Sequence, residues 1–348
     1  MEIVDVLKMI APGTAIRAGL DNILRAKTGG LIVIGDPNKM QDLIDGGFRF
    51  DVEFTPARLY ELAKMDGAIV VSEDLKRILV ANAQLMPDFC IPTVETGTRH
   101  RTAERIAKQT GNVVISISQR RGVITVYSAN QRYILESTTK VMSKTNQALQ
   151  TVEKYKKVFD DRISILTEYE FSDIATLKMV VESIKRAEML LRIADEVQKS
   201  IDELGDEGRI LKMQLDESTA GIEDEEMLLI KDYVVGKRVD TALKNIRNLK
   251  DDDLSNEQII ATCIGIKGAD NFDEFNVYSK GYRILNKVPR VPSNIVDNIV
   301  KKFKNLQSIL SADIDELDEV DGIGEVRAKS IVQTLKKMQE QLVFERLV

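Results

Sequence analysis

Between positions 137 and 204, apolar residues recur at alternating steps of four and three, and no other feature limits the fold of this chain so strongly. Val141, Thr145, Ala148, Val152, Tyr155, Phe159 and Leu166 form one stripe. After Phe171-Ser172 a second stripe runs through Leu177, Val181, Ile184, Leu191, Ala194, Val197, Ile201 and Leu204. That spacing lines one face of a helix and no face of a strand. It predicts two long antiparallel helices whose stripes are packing surfaces, not cofactor contacts. With 348 residues in total, a multidomain chain of two or three parts is expected.

Upstream the texture differs. Residues 3–10 predict a short helix stopped by Pro12-Gly13. Thr14 is placed to cap a second helix, with Ile16, Leu20, Ile23 and Leu24 on one face and Gly29-Gly30 closing it. Leu31-Ile32-Val33-Ile34 reads as a buried strand, 38–44 as a helix ended by Gly46-Gly47, and Thr55-Pro56 as a helix start. Runs 68–72 and 77–81 predict a hairpin, 99–109 a helix, and 113–117 and 123–127 two further strands. Over 1–136 this describes an α/β domain with a mixed sheet.

Downstream, 137–280 reads as an all-α spine, with shorter helices at 209–215, 222–236, 239–249 and 256–264 and an irregular stretch over 266–280. Glu223-Asp224-Glu225-Glu226 and Asp251-Asp252-Asp253 read as helix-start charges on solvated faces. In 281–348, the run Val320-Asp321-Gly322-Ile323-Gly324-Glu325-Val326-Arg327-Ala328-Lys329 has the form helix, Gly-Ile-Gly, helix. Such a hairpin presents backbone N–H groups to DNA phosphates without reading bases. Gly322, Ile323, Gly324, Arg327 and Lys329 are the candidate DNA-binding residues, with Ile323 as a packed apex. The unit at 285–303 looks like a degenerate partner whose Pro289 and Pro292 remove donors. Eleven Lys and Arg against ten Asp and Glu over 281–348 predict modest, salt-sensitive binding.

The net charge of −6 argues against an indiscriminate nucleic-acid binder. Cys90 and Cys263, far apart, fit a reducing cytosol, and a single histidine leaves no zinc site. No apolar run approaches ~20 residues, so no membrane span is expected. The start of the chain lacks a basic signal-peptide region. Neither G-x-x-x-x-G-K-[ST] nor a post-strand G-x-G-x-x-G is present, which disfavours P-loop ATPases and dinucleotide dehydrogenases.

Two runs carry chemistry. Asp66-Gly67-Ala68 opens a strand, and Gly97-Thr98-Arg99-His100-Arg101-Thr102 enters a helix. A glycine turn into a helix leaves N–H groups unpaired at the positive end of the dipole, and with Arg99, Arg101, Thr98 and Thr102 it suits a polyphosphate. An acid beside bound phosphates is a natural Mg²⁺ or Mn²⁺ ligand. Taken singly, each run also reads as a turn or a solvated face.

Together, with Asn82, Leu85-Met86-Pro87 and Ala103-Glu104-Arg105, the two runs resemble the diadenylate cyclase domain. The whole chain resembles the DNA integrity scanning proteins, which join that domain to a helical spine and a helix-hairpin-helix tail. The resemblance implies condensation of two ATP into cyclic di-AMP and two pyrophosphates, across a face-to-face pair of subunits. It implies catalytic roles for Asp66 (also the metal ligand), Gly67, Arg99, His100 and Arg101. It implies nucleotide contacts at Asp66, Gly67, Leu85, Thr98, Arg99, Arg101, Thr102, Ser118 and Arg121. His100 orders or contacts the phosphates in this scheme; its role as sole general base is less favoured. At Gln119 some relatives carry a basic residue, so this chain departs there. An octamer, branched or damaged DNA as partner, and a cytoplasmic, nucleoid-associated location are likewise implied. The competing expectation is a non-catalytic, nucleotide-sensing DNA scaffold; a structure-specific nuclease lacks a carboxylate cluster near the hairpins.

Overall fold

The computed structural model describes residues 3–269 and 271–345. It divides into two compact units, Met1–Gln147 with Val197–Met213, and Ala148–Glu196 with Gln214–Val348. The α/β, helical and helix-hairpin-helix classes expected from the sequence are all present.

The first unit is built on one mixed sheet. Its strands are β1 (Gly30–Ile34), β2 (Ile44–Asp45), β3 (Phe48–Glu53), β4 (Ala68–Val71), β5 (Arg77–Leu85), β6 (Val113–Ser118), β7 (Val123–Ser128) and β8 (Gln131–Leu135). The order is β2-β5-β4-β1-β6-β7-β8, with β3 also on β5. Among the described residues only β1 and β4 pair in parallel, Leu31 opposite Ala68; the other ladders are antiparallel. Around the sheet stand α1 (Ile3–Met9), α2 (Ala15–Arg25), α3 (Pro56–Leu62) and α4 (Thr98–Thr110).

The strand period of two sorts the side chains into two layers. Ile32, Ile34, Ile69, Val71, Ile115, Ile117, Ile124 and Val126 pack with Ile16, Leu20, Ile23 and Leu59 of α2 and α3. Leu31, Val33, Ala68, Val70, Val114 and Tyr127 pack with Ala103, Ile106 and Ala107 of α4. Each fully buried aliphatic side chain contributes about 1.5–3 kcal/mol, so burial on both faces fixes the register. Thr14 caps α2 by accepting from Arg17 N, and Thr55 caps α3 from Arg58 N. Gly111 ends α4 at φ +73.

The expected helix over 38–44 is instead a 3-10 turn, Pro37–Leu43, broken at Met40 (φ −122) and followed by β2. Strands β3 and β8 were not expected. Each lies outermost, is short and largely exposed, and is held by its ladder to β5 or β7.

The long helices are α5 (Thr138–Phe171) and α6 (Leu177–Leu204), and each contributes residues to both units. In the second unit, Arg162 and Glu182 bridge them at 3.0 Å, as an antiparallel hairpin requires. Then follow α7 (Arg209–Thr219), α8 (Ile222–Tyr233), α9 (Val239–Arg247), α10 (Asp251–Leu254) and α11 (Glu257–Cys263). The C-terminal group is α12 (Tyr282–Asn286), α13 (Ser293–Phe303), α14 (Leu306–Ser311), α15 (Ile314–Asp318) and α16 (Glu325–Glu345). Its core joins Ile284, Leu285, Ile299, Leu306, Leu317, Ile323 and Ile331 with Phe171 of α5.

Glu226, in the acidic run expected on a solvated face, is fully buried instead, and neither carboxyl oxygen has a hydrogen-bond partner. It falls on the inward side of α8, where the helix period, not the local charge, decides exposure. Burial first, then neighbouring Glu188, push its pKa up to about 8. The folded pKa lies above the unfolded one, so the stabilising protonated form is lost as pH rises from the ordinary carboxylate range through about 8. Glu226→Gln is therefore expected to stabilise the protein at pH 8.5 by on the order of 2 kcal/mol, and to do little at pH 4. Thermal unfolding at both pH values checks this; an equal shift at both would sink it.

Candidate functional site

The strand registers bring the sequence-predicted residues to one end of the sheet. Asp66 and Gly67 precede β4, whose Ala68 pairs with Leu31 at the start of β1 and with Ala83 on β5. Leu85 closes β5, and Ser118 closes β6 opposite Val123. Helix α4 starts at the same end, because Arg99 Nη2 reaches Asp66 Oδ1 at 3.1 Å. The acid and the cationic helix entrance, 33 residues apart in sequence, are thus in contact.

Asp66 is fully exposed and Arg99 is about a third exposed. An ion pair in that setting is worth about 0–1 kcal/mol, so a triphosphate that takes the guanidinium releases the carboxylate at little cost. No side chain caps the N-terminus of α4, whose first-turn N–H groups face the same edge. Thr98 and Arg101 are exposed, Thr102 half-buried. In the turn after β6, Arg121 N donates to Ser118 Oγ at 3.2 Å, and the Arg121 side chain is exposed. Leu85 is buried beneath this edge.

Gly67 has a structural reason of its own. Its φ is +119, and a Cβ there would lie 2.8 Å from the Asn82 carbonyl carbon. Asn82 itself sits at φ +54, where the β4–β5 register shifts. The bulge presses β5 onto residue 67, and only glycine fits.

His100 points inward. It is 5% exposed, its Nδ1 is 3.4 Å from Ser116 Oγ, and its Nε2 is buried without a hydrogen-bond partner. Burial lowers its pKa, Glu95 opposes this, and Arg121, Arg132 and Arg99 reinforce it, so the ring is neutral at pH 7.

Sequence reasoning missed the residues that hold the helix entrance. Glu95, buried two residues before Gly97, accepts from Tyr127 Oη at 2.9 Å and from Arg132 Nε at 2.6 Å. Glu104 accepts from Thr93 Oγ1 and from Val94 N at 3.3 Å, and pairs with Lys108 at 2.7 Å. Arg105 donates to the carbonyls of Ile91 (2.9 Å) and Phe89 (3.0 Å), and Lys108 to that of Pro92 (2.9 Å). Loop 88–95 is therefore hung on α4 and β7–β8. Glu104 and Arg105 sit in the conspicuous run, but what they hold, the hydroxyl of Thr93, the Val94 N–H and the carbonyls of Phe89 and Ile91, lies in a loop 10 to 16 residues away that carries no pattern pointing to them.

A cavity of about 420 Å³ lined by Met40, Asp42, Leu43, Gln109, Thr110 and Asn112 lies at the other end of α4, roughly 20 Å away by helix rise. Among the described residues its lining offers a carboxylate and no cation, which does not recommend it for a triphosphate. Among the described residues no three His, Cys, Asp or Glu gather as a metal cage. A single exposed carboxylate fits an ion of the Mg²⁺ type, which keeps several waters and takes further oxygens from phosphates.

In the C-terminal hairpin, Gly322 has φ +85, Ile323 is buried, and a Cβ on Gly324 would meet nothing within 4 Å. The Gly324 backbone thus lies open. Arg327 Nη1 donates to the Gly322 carbonyl at 2.7 Å, and Lys329 pairs with Glu325 at 2.5 Å. Arg327 braces the turn, while Lys329 stays in a pair within the first turns of α16. In the preceding unit, which lacks glycine at its turn, Arg290 takes the left-handed conformation (φ +64).

The comparisons follow this layout. Residues 17–132 match a family described as DisA bacterial checkpoint controller nucleotide-binding, 135–272 the DisA bacterial checkpoint controller linker region, and 288–343 a helix-hairpin-helix motif. The chain is 52% identical over 347 residues to the DNA integrity scanning protein DisA of Acetivibrio thermocellus, covering 99% of this chain and 96% of that one. It is 50% identical over 346 residues to that of Clostridium tetani, with 99% and 96% covered. It is 52% identical over 342 residues to that of Carboxydothermus hydrogenoformans, with 97% of each covered. With identity this high from end to end, the chain belongs to the DNA integrity scanning protein (DisA) family of diadenylate cyclases.

Proposed function

We propose that the chain condenses two ATP into cyclic di-AMP with release of two pyrophosphates, each ribose 3′-hydroxyl attacking the α-phosphate of the other ATP. The contact between Asp66 and Arg99 at an open sheet edge carries this reading: it sets an acid beside an anion site, as phosphoryl transfer needs and passive binding does not. Thr98, Arg99, Arg101, Thr102 and the N–H groups of α4 hold the triphosphate. Leu85 lines the base side, and Ser118 and Arg121 close the edge. Asp66 takes Mg²⁺ or Mn²⁺, which neutralises phosphate charge when bound. His100, neutral and buried, acts by seating the helix entrance against β6 rather than as a general base.

One such edge holds one ATP, so two subunits must meet face to face and a monomer is inactive. We further propose a catalytic part over 1–136, a helical spine over 137–280 and a DNA-facing part over 281–348, joined in a homo-oligomer, an octamer in the family scheme. The protein works in the cytoplasm at the nucleoid, where branched or damaged DNA on the hairpins regulates synthesis. Among the described residues no helix is long and apolar enough to cross a membrane. The competing reading, a nucleotide-sensing scaffold, gives no use to an acid beside the phosphates. Incubating the full chain with ATP and Mg²⁺ or Mn²⁺ tests this; absence of cyclic di-AMP with both metals overturns it.

For the tail, Gly324→Ala is the informative change. Residue 324 is outside the left-handed region and its Cβ position is open, so the fold should hold, with only a small loss from a poorer cap on α16. The new methyl stands where a phosphate would approach, and four-way-junction DNA should bind about three- to tenfold more weakly. Unchanged affinity would remove this hairpin from the interface.

A further inference from the structure

Gly29 closes the segment before β1 and is buried, but its backbone is not left-handed, so its conformation is open to alanine. What excludes a side chain there is Arg99. A Cβ on residue 29 would stand 2.1 Å from Arg99 Nη1 and 3.2 Å from its Cζ; the next neighbour is the Ile117 carbonyl oxygen at 3.3 Å. At adjacent Gly30 the same construction meets only ordinary contacts, 3.5 Å and beyond. The guanidinium therefore rests on the bare backbone of residue 29 on its way from α4 to Asp66.

An arginine on a helix N-terminus has several staggered rotamers open to it. The bare backbone at 29 gives the planar fork a floor, with Asp66 Oδ1 at its far end. A methyl there displaces chiefly the flexible end of Arg99; the Ile117 carbonyl, at 3.3 Å, has to yield by only a few tenths of an ångström. A displacement of about 1 Å is enough to cost one to two orders of magnitude where geometry matters.

We infer that Gly29 is a positioning residue for Arg99: its missing side chain is the slot that sets the guanidinium between Asp66 and the triphosphate. The inference rests on the proposed reading of the site and adds to it a residue that touches neither nucleotide nor metal.

The test is a double-substitution cycle on the full-length protein, using Gly29→Ala, Arg99→Ala and both together. The readouts are the Kd of a non-reactive ATP analogue, the KM and kcat of synthesis, and thermal unfolding. Gly29→Ala should raise Kd and KM about tenfold, change kcat less, and leave Tm unchanged. With Arg99→Ala already present it should change Kd by less than about twofold. The same loss in both backgrounds marks a general structural role and overturns the inference, as does no change in the native background. Should Arg99→Ala alone leave binding and synthesis intact, the reading of the site fails and takes this inference with it. A large Arg99→Ala effect with a silent Gly29→Ala removes the inference alone.

Discussion

Asp66→Asn is expected to remove cyclic di-AMP synthesis by more than about a hundredfold while the protein unfolds at the native temperature. The two halves of that expectation have separate grounds. The side chain is fully exposed and its hydrogen bond is to Arg99, a pair worth less than about 1 kcal/mol. Asparagine keeps the shape and the oxygen that accepts from Nη2, so folding has little to lose. Function loses the negative charge that a hard divalent ion needs and that an amide oxygen does not replace. Product formation at saturating ATP, read with a thermal unfolding curve, checks both halves. Mn²⁺ binding in the presence of a non-reactive ATP analogue should weaken in parallel. Synthesis retained within a few-fold would strip Asp66 of its assigned role.

The second large effect concerns stability. Arg283 has no exposed side-chain surface, nor has its partner Glu170. The guanidinium bonds Glu170, donates to Thr167 Oγ1 at 2.9 Å, and lies 3.3 Å from Glu225. Tyr233 Oη donates to Glu170 at 2.6 Å, while Asp232 accepts from the backbone N–H groups of Tyr282 (2.7 Å) and Arg283 (3.0 Å). One buried cation is thus paired with buried Glu170 and with Glu225, while buried Asp232 holds the backbone of the same turn, at the place where α12 meets α5 and α8. Arg283→Met leaves buried Glu170 without its cation, takes a neighbouring positive charge from Asp232, and is expected to cost about 3–5 kcal/mol in a denaturant titration at pH 8. Burial, then Glu170, push the Asp232 pKa up, so protonation relieves part of the penalty and the loss should shrink at pH 5. Pairing Arg283→Met with Glu170→Met should recover part of the stability, because the orphaned charge goes too. A loss under about 1 kcal/mol would mean that water reaches these groups.

Much of the α/β part was legible. Gly29-Gly30, Thr55-Pro56 and Gly111 punctuate the elements where local chemistry dictates, and 31–34 and 113–117 are apolar because both faces of those strands are covered. The weak strands β3 and β8 were not legible, since each exists through a partner on β5 or β7. The stretch 38–44 differs from the expected helix because a glycine stop at 46–47 says nothing of the break at Met40. Within the site, the cationic helix entrance and the lone acid announce themselves by residue type. The supports at Glu95, Glu104 and Arg105 do not, because they bond a strand tyrosine, an arginine 37 residues away, a loop threonine and loop carbonyls.

The sequence by itself determined the kinds of part: a mixed-sheet domain, a long helical hairpin and a glycine turn in the tail, because periodicity, caps and glycines act over a few residues. Only the tertiary structure decided which groups meet. It put Asp66 against Arg99, gave Gly29 its slot, turned His100 inward and buried Glu226, Glu170 and Arg283. The physical reason is that pairing registers and helix rotation are set by the burial of whole faces, a sum over distant residues that no local stretch contains.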